Sequence, residues 1–561
     1  MQESIAEISG EQTPQLPRSV ARSAGVVSLA VMASRLLGLV REQVFAALFG
    51  AGFLSDAFQV GFRIPNTLRD LFAEGALSSA FVKTFTDYIV KKDDEKAAWR
   101  VASLLMNACA ILLSLISIAG ILLAPWIVGL IARDFSPEKA HLATVLMRIM
   151  FPFIVMVSLA SVAMGVLNTK GHFGVPASAS TLFNVGAILG GVTLAYVLSG
   201  GGWLVSNEVG VIPSRAAELA IIGMAIGTLI GGSLQFLIQM PSLIHVGFRF
   251  RREISFSDPG IRQVARLMMP ALIGTAAVQV NVFVDTYFAS SITGAPSWLA
   301  YSFRLMQFPI GLFGVAIGTA TLPTVSLHAA RGDLQSLRKT LNSSLSLVFF
   351  LALPSACGLI VLAKPIVALL FQHGVFTARD THAVAWALAG WSIGLVGFAA
   401  IRVLSPVFYA MDDTRTPMLV SLFSITINAV GDYFFMKWLT PFGIGHAGLA
   451  LSTSLVAIIN FVLLVFFLRR RVGRFGGREL LTSVARVMMA SVALGLTSYG
   501  AYYALSKELL SDGLIVRAVE AFVPIAAGGI VFLAACHLLG IKELEQVRRS
   551  VVAKFATRDL T

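Results

Sequence analysis

Charge is scarce in this chain: Asp, Glu, Lys and Arg make up only 13% of its 561 residues, whereas 56% are hydrophobic. A soluble domain carries roughly a quarter of its residues as charges. With a mean hydropathy of +0.80, no sizeable soluble domain fits between the apolar runs. Cysteine is nearly missing as well. Cys109, Cys357 and Cys536 lie far apart, each inside an apolar run, which excludes a disulfide framework and a zinc knuckle. The eight histidines are scattered without ligand-like spacing, and no HExxH, GxSxG, Walker A or GxGxxG pattern stands in a suitable strand–turn–helix context. Metal-dependent hydrolysis, nucleophilic catalysis and nucleotide chemistry therefore have no visible machinery. The formal charge of +13 points to no nucleic acid, because the basic residues sit in short clusters between apolar runs, where they orient helices.

What the chain has in abundance is apolar length. Runs of about 20 residues, enough for a helix to cross the hydrocarbon core, recur from end to end. Fourteen are expected, centred near residues 35, 75, 115, 155, 187, 228, 275, 315, 352, 393, 425, 457, 490 and 528. Alternate connections receive YIVKKDDEKAAWR, FRFRREISFSDPGIRQVAR, ARGDLQSLRKT, LRRRVGRFGGRE and the C-terminal KELEQVRRSVVAKFATRD, while the opposite ones, such as SITGAPS, are poor in Lys and Arg. That asymmetry places both termini in the cytoplasm. The first 17 residues are polar and lack the pattern of a cleaved signal peptide.

The chain also repeats itself. LAPWIV at 123–128 returns as LAKPIV at 362–367, and Phe62-Arg63 and Pro176 return as Phe303-Arg304 and Pro417, at offsets of 239 to 241 residues. A duplicated six-helix unit follows, its copies entering the membrane in the same direction and related by an axis along the membrane normal, as in transporters that rock two halves around a central site. The expected organisation is a cytoplasmic tail (1–22), a first lobe (23–245), a second lobe with its preceding linker (246–474), two extra helices (475–541) and a cytoplasmic tail (542–561).

The stretch SRLLGLVRE, residues 34–42, puts Arg35, Arg41 and Glu42 into the first apolar run, and the second adds Asp56, Arg63, Arg69, Asp70 and Glu74, with Arg304 in the corresponding run of the other half. Arg at the bilayer centre costs at least roughly 2.5–3.5 kcal/mol, so such residues face a bundle interior or a water-filled cavity. Snorkelling and internal ion pairs, such as Arg41 with Glu42 or Asp70 and Glu74 on one helical face, account for some of them. Arg nonetheless exceeds acid in the central positions. Its planar fork suits bidentate phosphate binding, so the cavity is expected to hold a phosphorylated or otherwise anionic substrate. A second set differs in kind. Asp285, Asn428, Asp432 and Thr453 offer hard oxygen ligands without nearby Arg, which suits a small hard cation or a proton; an ordinary interhelical hydrogen-bond cluster fits the same residues.

The run SRLLGLVREQVFAALFGAGFLSDAF followed by FRIPNTLRDLFAEGALSSAFV resembles the opening helices of the MurJ (MviN) lipid II flippases of the MOP exporter superfamily, and WLAYSFRLMQFPIGLFGVAIGTATLPTVS and LSPVFYAMDDTRTP continue the likeness over essentially the whole chain. The resemblance implies an all-α polytopic fold of 14 transmembrane helices: two six-helix lobes around a cationic cavity, with the last two helices forming a groove for the lipid tail. It implies transport, not catalysis: lipid II, the undecaprenyl-pyrophosphate-linked disaccharide pentapeptide, would move from the cytoplasmic to the periplasmic leaflet of the bacterial inner membrane for peptidoglycan synthesis. The family's important arginines fall on Arg35, Arg41, Arg69 and Arg304, its acid after the first span on Asp56, and Asn66 and Glu74 occupy matching motif positions. A sodium site seen in some members matches Asp285, Asn428, Asp432 and Thr453. No cofactor is required, Na+ or H+ being the coupling ion to test. The implied partners are lipid II and membrane lipids, with a monomer as the working unit. The family carries acids at the equivalents of Phe303 and Gln307, so Arg304 is expected to have fewer local counterions here. Two alternatives stand beside this reading: a flippase for another polyprenyl-pyrophosphate oligosaccharide, and a cation-coupled drug antiporter, which the Arg-rich first half disfavours.

Overall fold

The computed structural model describes residues 18–72, 76–91, 93–201, 212–509 and 513–556, and every regular element among them is helical. The first half runs α1 (Arg18–Phe49), α2 (Phe53–Phe72), α3 (Ala76–Thr86), α4 (Glu95–Ile131), α5 (Pro137–Met150), α6 (Phe153–Thr169), α7 (Gly174–Ser199), α8 (Arg215–Leu237) and α9 (Met240–His245). The second half runs α10 (Pro259–Ala289), α11 (Ala295–Pro309), α12 (Val315–Ala330), α13 (Leu334–Val361), α14 (Ala363–Phe371), α15 (Ala378–Ile393), α16 (Leu395–Ala410), α17 (Arg415–Leu439) and α18 (Gly445–Val472). Then come α19 (Gly477–Glu508), α20 (Leu514–Leu538) and α21 (Lys542–Ala556). The helix α1 begins at Arg18, and much of the expected C-terminal tail is the helix α21.

Local chemistry explains where these helices start and break. Asp94, Ser136, Ser214, Asp258 and Asp333 each cap a helix with a side-chain oxygen on a first-turn N–H, and Thr377 with Asp380 forms a reciprocal capping box. Proline divides runs that are continuous in hydropathy. Pro152 separates α5 from α6, and Pro309 precedes a π-helical segment, Ile310–Gly314, that joins α11 to α12. In α4, Pro125 lacks the N–H that would bond the Ile121 carbonyl, and Arg148 Nε of α5 donates to it instead at 3.1 Å.

Among the described residues, ten helices or end-to-end helix pairs are long and apolar enough to cross a membrane, and α15 with α16, bent by 43°, makes eleven. The three other runs of the expected fourteen, α1, α2 with α3, and α10, hold Arg35 and Arg41, Asp56 and Arg69, and Asp285. Within the first half, α7 and α8 touch backbone to backbone: a Cβ on Gly227 would lie 2.3 Å from Gly191 Cα, and one on Gly223 would lie 2.4 Å from Ala195 N. Small residues give membrane helices this approach, where van der Waals packing replaces the missing hydrophobic drive. The halves meet through α2 against α11, and through α10 against α2, α3 and α4; α19 packs on α13 and α20, outside both.

Candidate functional site: an arginine cluster, a carboxylate latch and an oxygen cluster

Two arginines, one from each half, meet on one carboxylate. Arg41 of α1 reaches Glu42 Oε1 at 2.8 Å, and Arg304 of α11 reaches the same oxygen at 3.0 Å. Glu42 is buried, whereas Arg304 keeps 40% of its side chain exposed. Arg304, expected to have fewer local counterions, takes its acid from the other half of the molecule. Arg41 also lies over the Phe183 ring, 5.2 Å from its centroid. Arg35 is exposed, with its guanidinium against Gly311 of the π segment, where an added Cβ would come within 2.5 Å of it. No carboxylate among the described residues pairs with Arg35. It lines a cavity of about 430 Å³ with Ser34, Asn168, Phe173 and Ser180 in its wall.

On α2, Arg69 grips Asp70 through two nitrogens at 2.8 and 3.2 Å, so Asp70 pairs with its neighbour in the chain. Asn66 is half-buried on the same helix. Glu74 lies outside the described residues.

Asp56 stands apart from this cluster, at the end of the bundle where α1 meets α2 and α10 meets α11. It is fully buried, and its two oxygens take four donors: Lys139 Nζ at 2.6 Å, Gly294 N at 2.7 Å, Ser297 N at 3.1 Å and Ser297 Oγ at 2.7 Å. The carboxylate thus holds the N-terminus of α11 from the other half, where an anion is favoured. Around it, Tyr301 donates to the Gly50 carbonyl at 3.1 Å, and Val375 N donates to the Ala47 carbonyl at 2.9 Å. We call this end of the molecule the latch end. In this conformation Asp56 is engaged by protein alone.

The oxygen cluster assembles as the sequence suggests. Asn428 Nδ2 donates to Asp285 Oδ1 at 2.7 Å and to Asp432 Oδ2 at 3.1 Å, while Thr453 Oγ1 donates to Asn428 Oδ1 at 3.1 Å. Asn428 and Asp432 are fully buried, and Asp432 Oδ1 has no hydrogen-bond partner. An orphaned carboxylate oxygen amid further oxygen donors fits a small hard cation or a proton. One expectation needs correction: Arg63 interacts electrostatically with Asp285, so this cluster has an arginine nearby.

Sequence reasoning missed Lys139, Gly294 and Ser297 as partners of Asp56 and treated Glu42 only as a local partner of Arg41. The available signal was positional: Gly294 and Ser297 flank the start of α11, and a buried acid seeks such N–H groups.

The comparisons with known proteins agree over most of the chain. Residues 45–511 match the family model described as lipid II flippase MurJ. A probable lipid II flippase MurJ from Vibrio cholerae is 33% identical over 543 residues, covering 93% of this chain and 96% of the relative. A lipid II flippase MurJ from Burkholderia cenocepacia is 37% identical over 454 residues, covering 79% and 83%. Among solved structures, a lipid II flippase MurJ in an inward closed conformation superposes with a TM-score of 0.72 at 25% identity, over 91% of this chain and 98% of that one. An inward-facing multidrug resistance MATE family transporter of the MOP superfamily shares the fold, at a TM-score of 0.61 and 16% identity over 82% of this chain and 99% of that one. An interlobe arginine cluster within a polytopic helical membrane protein, and relatives matched along nearly their whole length, place the chain in the lipid II flippase MurJ family, among transporters and not enzymes.

Proposed function

We propose a working cycle for this lipid II flippase in which two lobes, residues 23–245 and 246–474, rock about the arginine cluster. The supporting observation is the charge count there: Arg41 and Arg304, drawn from both halves, share the acid Glu42, and Arg35 pairs with no carboxylate among the described residues. A pyrophosphate supplies the missing negative charge, and guanidinium forks bind it bidentately. Arg69 and Asn66 on α2 line its path, with Glu74 and Asp56 as further polar positions. Fourteen helices cross the membrane in this reading, the lobes being related by a two-fold axis, with both termini cytoplasmic and the latch end periplasmic, as the Lys and Arg distribution requires. The head enters from the cytoplasm while the polyprenyl tail stays in lipid along residues 475–541. Opening of the latch end releases the head to the periplasmic leaflet of the inner membrane. Only the head leaves lipid-level contact, so one chain encloses every group the step uses and a monomer suffices.

Asp285, Asn428, Asp432 and Thr453 hold the coupling ion, Na+ or H+. Neutralising Asp285 weakens its pull on Arg63 and returns that charge to the arginine cluster, linking ion and anion. The membrane potential is worth roughly 2.3 kcal/mol per unit charge per 100 mV and provides a second driving force. The test is leaflet accessibility of lipid II in cells depleted of their own flippase, comparing the protein with Arg35→Ala and Arg304→Ala at matched membrane abundance. Restored periplasmic lipid II that both variants abolish supports the cycle. A well-expressed protein that leaves lipid II inside overturns it and favours another polyprenyl-pyrophosphate oligosaccharide, whose pyrophosphate the same arginines fit. A drug antiporter for cations would place acids, not arginines, at this point.

A further inference from the structure

We propose that Lys139 is a positioning residue that sets how firmly the latch end closes, by compensating the Asp56 carboxylate while it is buried. The inference rests on the reading that the lobes separate at this end. Lysine is almost never fully buried unless paired. Lys139 is buried, its Nζ 2.6 Å from Asp56 Oδ2 and over the Phe135 ring, 4.3 Å from the centroid.

The two partners belong to one rigid unit. Both α2 and α5 lie in the first half, and they pack so closely that a Cβ on Gly61 would stand 2.9 Å from the Ala143 carbonyl oxygen. The other three donors to Asp56, Gly294 N, Ser297 N and Ser297 Oγ, all belong to the second half. Separating the halves here therefore breaks three hydrogen bonds and spares the fourth: Asp56 departs together with Lys139. Closed, the acid has no exposure to water. Without the ammonium the buried carboxylate keeps three neutral donors but no opposite charge, a costly arrangement that opening into water relieves. Lys139 thus weights the balance toward closure without touching the substrate cluster.

The test uses the full chain in lipid nanodiscs, with Cys109, Cys357 and Cys536 replaced by alanine and spin labels on cysteines at the exposed positions Arg133 and Phe442, one in each half. Lys139→Met is expected to raise the share of longer distances at least about tenfold. Lys139→Arg retains the parent distribution, and Lys139→Met combined with Asp56→Asn returns it, since no buried charge then lacks a partner. A merely structural lysine would not be rescued by changing the acid. Added lipid II and sodium separate the two ideas. A parent protein that shifts with them while Lys139→Met matches it overturns this inference alone; one fixed distance in every variant and condition overturns the moving lobes and the inference together. Should Lys139→Met not accumulate, the double variant decides: accumulation in the closed distribution supports the proposal, and failure to accumulate overturns it.

Discussion

The arginine cluster and the oxygen cluster are both polar islands in an apolar bundle, yet they balance their charges differently. In the first, Arg41 and Arg304 share Glu42, Arg35 pairs with no carboxylate among the described residues, and Arg35 and Arg304 stay exposed. In the second, Asp285, Asn428, Asp432 and Thr453 mostly answer one another, with one carboxylate oxygen left over. In the proposed cycle the island that cannot balance itself receives the large anionic head, and the one that nearly closes on itself receives a single small ion.

That contrast can be broken most severely at Arg304. Arg304→Ala is expected to cut delivery of lipid II to the outer leaflet by about a hundredfold, the scale for removing a charge that a bound anion would cover, whereas Glu42→Gln retains pyrophosphate binding because it removes a competitor for the same forks. Equal loss in both, measured by leaflet accessibility, would show that the cluster is a structural ion pair. The scaffold comes next: Gly227→Leu drives a side chain into the Gly191 backbone and should lower stability by about 3 kcal/mol, visible as a fall in melting temperature. Sodium sharpens the other side of the comparison. Saturating Na+ should stabilise the protein by about 1–3 kcal/mol and leave Asp432→Asn unmoved; a parent protein indifferent to sodium at every pH leaves the cluster with a proton or a purely structural role.

The smallest effect lies outside the membrane. Burial raises the Asp413 carboxyl, but hydrogen bonds from Thr416 and the charge of Arg471, 2.9 Å away, outweigh it and hold the group below the usual carboxylate range. A depressed carboxyl contributes stability above its unfolded value and loses it as the pH falls through the folded one. Asp413→Asn should therefore cost at most about 1 kcal/mol at neutral pH, half of Arg471 being exposed, and the difference should fade below about pH 3.8.

The oxygen cluster was legible because Asn428 and Asp432 sit one helical turn apart, and Asp285 and Thr453 complete a set whose chemistry speaks for itself. The arginines were legible because charge in an apolar run demands a reason. Their bookkeeping was not: Glu42 is beside Arg41 in the chain but 262 positions from Arg304, and only the fold reveals that it serves both. Likewise the donors that α11 offers Asp56 from its first turn lie more than 200 positions away in the chain. Periodicity located the apolar runs, while the breaks at Pro152 and after Pro309 and the bend between α15 and α16 arise from local backbone geometry that hydropathy does not record.

The close approach of α7 and α8 bears on how such a molecule can deform. Two helices whose backbones touch at Gly191 and Gly227 behave as one thick beam: neither can slide without prising the other away, and bending stiffness rises with combined thickness. Strain applied to the first half then flows past that beam to the thinnest member in the load path. The π-helical segment Ile310–Gly314, with Pro309 on one side and Arg35 resting on Gly311, is such a member, and a bend there would begin directly beneath the guanidinium that the proposed cycle gives to the substrate.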